Sequence, residues 1–421
     1  MKIKVKDISY EAFEKLKGYK YKKPKRRSFL LASIIRIAAF LELSRLGCKI
    51  NKINMDKLGK KEPCLILMNH SSFIDLKIAS KILYPRKYNI ICTDDGFIGK
   101  ELLMRYIGCV PTKKFLTDVT LVKDMMYVVK NLKSSILMYP EAGYSFDGTS
   151  IPLPNSIGKC LKLLKIPLVV ITTHGAYHRD PLYNNLQVRK VNISADVKYV
   201  LSKEEIETKS EKEIMEIIKQ EFSFDNFKYQ QDNQIQIKEP FRADYLNRLL
   251  YKCPHCFEER KMLGKGVKLI CQNCNNEYEL DEYGYLKNLT NETIFNHIPS
   301  WYKWEKECVK KEIEEDKYCV SVDVEIYALK DMKHVYRLGE GHLTHTKNGF
   351  DLIGCDNKLK YHQDTNASYT INSDFNWYER GDIISIGDHK ARFYCLIKDK
   401  KDYATKVRFA AEILYLKNFE K

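Results

Sequence analysis

Cys64-Leu65-Ile66-Leu67-Met68-Asn69-His70-Ser71-Ser72-Phe73-Ile74-Asp75 is a short apolar run ending in a polar cluster, and a helix-like pattern follows through Phe73, Leu76, Ile78 and Ala79. The spacing predicts a buried strand over 64–68 and a helix N-cap at Ser71 or Ser72. His70 then lies at the mouth of a strand-to-helix turn and Asp75 about one turn into the helix. From there the carboxylate can hold one imidazole nitrogen and leave the other free to take a proton. Among ten histidines, a His followed five residues later by Asp is expected about half a time by chance, so the spacing alone is a weak signal. The position is stronger, because open α/β folds place their chemistry just past the carboxyl end of a strand.

A second apolar run, Ile136-Leu137-Met138, ends in Tyr139-Pro140-Glu141-Ala142-Gly143-Tyr144-Ser145. Two strands that end in polar loops predict one shared pocket. Together the two stretches resemble the glycerolipid acyltransferase family, whose founding members acylate lysophosphatidic acid and which carries NHxSxxD, GxxFIxR, FPEGTRS and VPxxP blocks. The first block falls intact on Asn69, His70, Ser72 and Asp75. The second falls on Gly108, with Pro111 and Thr112 in place of Phe and Ile and Lys114 in place of Arg. In the third, Pro140, Glu141 and Ser145 match, while Ala142, Gly143 and Tyr144 replace Gly, Thr and Arg. The fourth, Ile166-Pro167-Leu168-Val169-Val170, keeps only its first proline.

The resemblance covers roughly residues 30 to 225. It implies a fatty acyl transfer from acyl coenzyme A or acyl carrier protein to a lysophospholipid or related hydroxyl, with His70 as general base and Asp75 orienting it. It also implies substrate contacts from Glu141, Gly143, Ser145 and the 141–145 backbone, with Lys114 nearest in role to the phosphate-binding arginines. A Lys brings charge without a bidentate fork, and Tyr144 brings none. No GxSxG elbow is present to form an acyl-enzyme. A hydrolase using the same dyad is one rival. The other is a non-enzymatic lipid- or nucleic-acid-binding adaptor with a degenerate acyltransferase domain.

At 421 residues the chain predicts two or three domains. Of the net charge of +16, most lies in residues 1 to 61, which hold 18 Lys or Arg against 5 Asp or Glu. There the tract Lys20-Tyr21-Lys22-Lys23-Pro24-Lys25-Arg26-Arg27 leads into an apolar pattern from Phe29 to Leu46, which reads as an amphipathic interfacial anchor for an anionic bilayer. The opposing reading is a core helix behind a solvated tail. The start lacks the apolar core of a signal peptide, and no uncharged run reaches 18 residues. With 13 cysteines and no such signal, a peripheral protein on the cytoplasmic face of a membrane is expected.

From 62 to 225 strand-like and helix-like runs alternate, among them a helix from Asp118 to Leu132 and a closing helix from Glu204 to Phe222. The order predicts a three-layer α/β domain. Residues 226–249, polar and rich in Gln and Asn, read as a linker. In 250–285, Cys253-Pro254-His255-Cys256 and Cys271-Gln272-Asn273-Cys274 stand 14 residues apart. Two matched knuckles predict a structural zinc ribbon rather than a redox pair, with His255 dispensable as a ligand. Residues 286–421 carry a helical run near Ile294 to Ile313, many short β-leaning runs and a last amphipathic helix over 404–416. This pattern suggests a pleckstrin-homology-type barrel, for which docking of a protein partner, membrane docking and plain scaffolding are all open readings; nucleic acid is not an expected partner.

Overall fold

The computed structural model describes residues 3–114, 119–141, 143–399 and 402–418. The start expected for one helix, Asp118, lies outside them, and that helix is described from Val119 to Lys130.

The stretch 65–68 is the central strand of a seven-stranded sheet. In order across the sheet run Lys49–Ile53, Ser194–Leu201, Leu168–His174, Leu65–Met68, Ser135–Met138, Tyr88–Thr93 and Cys109–Thr112. The last five are mutually parallel, and Ser194–Leu201 runs antiparallel to Leu168–His174. Because side chains alternate between the faces of a strand, Leu65 and Leu67 enter one core with Val128, Leu161 and Ile214. Ile66 and Met68 enter the other with Ala39, Leu43 and Ile78. A strand buried on both faces reads as an unbroken apolar run, as this one does, and the three layers follow from it.

The expected closing helix is two helices, Lys203–Thr208 and Glu211–Glu221. Each is started by a full capping box, Ser202 with Glu205 and Ser210 with Glu213. The presumed linker is a packed element instead. Asn226–Asp232 is helical, and Phe227, Leu246, Leu249 and Leu250 are buried. Its amides act as clamps rather than solvated spacers: Asn226 donates to the Gly148 carbonyl, Gln230 to Ile235 and Glu282, and Gln231 to Gly284.

The cysteine-bearing segment is a four-stranded antiparallel sheet of Met262–Lys265, Lys268–Cys271, Glu277–Leu280 and Leu286–Asn288. Its core is shared. Cys253, Leu269 and Tyr278 pack in one cluster with Phe146, Tyr177 and Tyr183 of the α/β domain, with Trp301 of the helix Ile298–Glu314, and with Phe375 and Ala404 beyond it.

The C-terminal sheet joins two meanders. Val320–Leu329, Val335–Thr346, Gly349–Gly354 and Leu359–Gln363 form the first, Asn372–Asp374, Ile383–Gly387 and Arg392–Ile397 the second, and Arg392–Ile397 pairs with Val320–Leu329. Among the short β-leaning runs of this region, Val335–Thr346 is one long strand, because Gly339 at φ 135° carries it through the register shift at Ile326 and Tyr327. The last helix, Ala404–Lys417, is not amphipathic: every residue from Ala404 to Leu414 is buried. Its charges are matched, with Lys406 on Glu259 and Glu312, and Arg408 on Glu412.

Residues 1–61 do not form one segment. Val5–Asp7 pairs in parallel with Val335–Arg337 of the C-terminal sheet, Phe13 enters that sheet's core, and Lys49–Ile53 is an edge strand of the α/β domain. Between them the helix Phe29–Arg45 buries only Ala39 and Leu43. Phe29, Leu30, Ile34, Ile37, Phe40 and Leu41 are exposed, so the helix is apolar nearly all round rather than amphipathic. Parts of the basic tract are tied down: Lys22 pairs with Glu101, Arg27 lies 4.3 Å over the Tyr88 ring, and Arg105 donates to the carbonyls of Lys22 and Lys23. Among the described residues no helix is long and apolar enough to cross a membrane.

Candidate active site

Strand Leu65–Met68 ends at Asn69, whose amide is fixed to the neighbouring strand. Its Oδ1 accepts from the Thr173 N–H at 2.8 Å, and its Nδ2 donates to Ser71 Oγ at 3.0 Å. The following helix begins at Asp75 itself, not one turn earlier, and Ile74 occupies the N-cap position. Asp75 Oδ2 accepts from the backbone N–H groups of Ser71 and Ser72 at 2.9 and 3.0 Å and meets His70 Nδ1 at 2.9 Å. Two fixed backbone donors aim this buried carboxylate at the ring. It therefore holds the proton on Nδ1 and leaves the Nε2 lone pair as the acceptor, on a side chain that is one-quarter exposed.

His70 is held from both faces. Its ring centroid lies 4.4 Å from that of Tyr139 and 4.2 Å from that of Tyr144, and Phe73 packs on Tyr144 at 5.5 Å. Neither tyrosine was legible as a neighbour of His70, because both arrive on the other loop.

That loop is tied to His70 through its backbone. Glu141 Oε2 accepts from the His70 N–H at 2.7 Å and Oε1 from the Ile151 N–H at 3.3 Å. Burial pushes the Glu141 carboxyl up to about 8, against the pull of those two bonds. The Ser145 N–H donates to the His70 carbonyl at 3.3 Å, and its hydroxyl to the Thr149 carbonyl at 2.6 Å. Expected as substrate contacts, Glu141 joins the two loops by one oxygen and holds Ile151 by the other, and Ser145 joins them by its N–H while its hydroxyl closes its own loop on Thr149. Gly143 is different: a Cβ there would meet nothing within 4 Å, so its backbone borders open space. The Ala142 amide lies outside the described residues.

Lys114 is also committed. Its ammonium pairs with Asp95 at 3.4 Å and donates to Asn372 Oδ1 of the C-terminal sheet at 2.9 Å. That sheet and the last helix form a second wall on the motif loops. Arg392 pairs with Asp94 at 2.9 Å, Phe375 packs on Phe146 at 4.3 Å, and Arg408 lies 4.3 Å over the Phe146 ring. On the other side Ser72 Oγ donates to Asp180, which Arg179 holds at 2.7 Å while it also pairs with Glu42 at 3.0 Å. Apart from the Arg179–Asp180 pair, none of these contacts has a local sequence signal, since each joins residues far apart in the chain.

His174 and His178, which sequence spacing places together on a pocket rim, part company. His174 pairs with Asp196 at 3.2 Å, and His178 is buried and donates Nε2–H to the Asn226 carbonyl at 2.9 Å. Burial pushes the His178 imidazole down to about 4. The unfolded chain takes up that proton near 6.5, so stability present above this value is lost as the pH falls from 6.5 toward 4, by up to about 3 kcal/mol. His178→Gln keeps a donor for the carbonyl but does not titrate, and is expected to flatten this limb of the melting profile. An unchanged slope in the variant would place its origin elsewhere.

The four sulfurs of Cys253, Cys256, Cys271 and Cys274 lie within 4.8 Å of one another, and two of the pairs are 3.7 Å apart. Tetrahedral thiolates about 2.3 Å from a central zinc stand about 3.8 Å apart, whereas a disulfide needs about 2 Å. The donor set therefore fits a metal ion. His255 is turned to Asn288 at 3.2 Å.

Residues 49–204 match the family model described as Acyltransferase. The α/β domain is thus of the acyltransferase type. Among solved structures, the crystal structure of the 1-acyl-sn-glycerophosphate (LPA) acyltransferase PlsC from Thermotoga maritima is similar to 45% of this chain and 76% of its own, with 14% identity and a TM-score of 0.36. No curated protein matches the chain.

Proposed function

We propose that the protein is a peripheral membrane O-acyltransferase that moves a fatty acyl group from a thioester, acyl coenzyme A or acyl carrier protein, to a glycerolipid hydroxyl. The observation that carries this is the 2.9 Å contact between His70 Nδ1 and Asp75 Oδ2, with Nε2 left free at the mouth of the strand-to-helix turn. Nε2 takes the acceptor's hydroxyl proton as that oxygen bonds to the thioester carbonyl carbon. The carbon–sulfur bond then breaks, and the imidazolium returns the proton to the leaving thiolate. Glu141 and Ser145 hold the His70 loop in register, and the open backbone at Gly143 borders the substrate. The test is mass spectrometry of lipids formed by purified protein from a panel of lysolipids with both donors. Absence of any new ester with every combination would sink the reading.

Cys253, Cys256, Cys271 and Cys274 would hold a structural zinc, a reading supported by sulfur spacings that suit four thiolates around one ion. The two meanders closed by a C-terminal helix support a pleckstrin-homology-type reading of the last domain.

Membrane docking on the cytoplasmic side would use the exposed apolar helix Phe29–Arg45 with Leu102 and Leu103 on the helix packed beside it, bordered by the exposed Lys20, Lys23, Lys25 and Arg26. So large an uncovered apolar surface marks an interaction site, and the adjoining cations suit anionic lipid. Removing residues 1–27 would also remove Val5–Asp7 and Phe13 from the C-terminal domain, so point changes are the cleaner probe. Ile34→Glu with Ile37→Glu is expected to lower sedimentation with anionic vesicles by at least about tenfold, since each apolar side chain forfeits about 1.5 kcal/mol or more of transfer. Binding equal to wild type would show that this face does not dock.

A further inference from the structure

We propose that the acyl acceptor carries an uncharged, hydroxyl-bearing head group, and that Tyr144 is the side chain that excludes a phosphate next to the reacting hydroxyl. The inference rests on the acyltransferase reading and narrows its substrate.

A phosphate monoester at neutral pH carries between one and two negative charges and needs a cation or several free donors to replace its water. Among the described residues, the surroundings of His70 offer no uncommitted cation. One face of the ring is covered by Tyr139 and the other by Tyr144, with Phe73, 64% exposed, continuing the aromatic lip outward. The Tyr144 phenol is pushed well up by burial and then by the carboxylates of Asp75, Asp180 and Asp374, so the charges bearing on this position are acidic.

The cations that reach the motif loops are each already matched. Lys114 is held by Asp95 and Asn372, Arg179 by Asp180 and Glu42, Arg392 by Asp94, and Arg408 by Glu412. For any of them to meet a phosphate, it would have to give up a buried or half-buried carboxylate that now holds it. An uncharged polyol suffers no such conflict. Its C–H faces suit the aromatic lip, and its hydroxyls can bond to carboxylates and to the open backbone at Gly143.

The test uses the full chain in neutral detergent micelles with palmitoyl coenzyme A and, in parallel, palmitoyl acyl carrier protein. The acceptors share one acyl chain and differ in head group: monoacylglycerol, a glycosylated monoacylglycerol and lysophosphatidic acid. The expected result is kcat/KM at least about tenfold higher for one or both neutral acceptors than for lysophosphatidic acid. Tyr144→Arg is expected to narrow or reverse that ratio, and Tyr144→Phe to leave it in place. Faster use of lysophosphatidic acid by the unaltered protein would overturn this inference and leave the acyltransferase reading standing. A wild-type neutral preference that persists in a folded Tyr144→Arg variant would remove Tyr144 as its cause. Acylation of none of the three with either donor would overturn both readings.

Discussion

Replacing His70 by alanine is expected to cost at least about 100-fold in turnover while the protein stays folded, with only the modest fall in melting temperature that losing its packing on Tyr139 and Tyr144 brings. The side chain is one-quarter exposed, and Asp75, its buried partner, keeps the two backbone donors of Ser71 and Ser72 when the ring is gone. The Glu141 and Ser145 ties reach the His70 backbone, so they survive the substitution as well. Asp75→Asn is expected to be similarly impaired. An amide oxygen can still accept from the two N–H groups, but it cannot balance an imidazolium. Acyl transfer and thermal melting measured on the same samples decide the matter. A stably folded His70→Ala protein with near wild-type transfer would end the proposed chemistry.

Metal removal is expected to do the opposite, lowering stability and activity together. Structural zinc in small domains contributes on the order of 10 kcal/mol to folding. Here the segment it would staple shares a core with Phe146, Tyr183, Trp301 and Phe375. Phe146 lies one residue past Ser145, whose N–H holds the His70 carbonyl. Chelation or Cys253→Ser should therefore lower the main melting transition and reduce transfer, rather than unfold a ribbon that leaves the α/β domain intact. Metal analysis, calorimetry and Trp301 fluorescence, the last reporting on packing 4.9 Å from Tyr278, follow the change. A metal-free protein that melts and turns over as before would show that the four cysteines do not carry the fold.

The α/β domain was legible because its strands are buried on both faces, so runs such as Leu65–Met68 and Leu168–Ile171 stand out as unbroken apolar stretches, each closed by a polar loop. His70 and Asp75 were legible because the turn that joins them is local. The four cysteines were legible because each knuckle is local too. What could not be read depends on contacts across the chain. Glu141 and Ser145 look like substrate ligands until their partners are seen, and Lys114 looks free until Asp95 and Asn372 are placed beside it. Asn226, Gln230 and Gln231 carry linker composition yet hold backbone carbonyls of other segments. The last helix misled in the same way: Lys406, Arg408 and Glu412 mark a solvent face by type, but each finds its counter-charge inside.

The parallel pairing of Val5–Asp7 with Val335–Arg337 sets an order of assembly on the ribosome. Val5–Asp7 has no neighbour in this sheet until more than three hundred residues have followed it. During that interval its edge is unpaired, and the helix Phe29–Arg45 behind it leaves the tunnel ahead of the α/β domain that buries Ala39 and Leu43. Domains elsewhere can fold as they are made, but the C-terminal sheet closes only after synthesis has passed its partner strands, and by capturing Val5–Asp7. A long sequence separation makes that closure slow. In the meantime the unpaired strand edge and the apolar helix Phe29–Arg45 are both accessible.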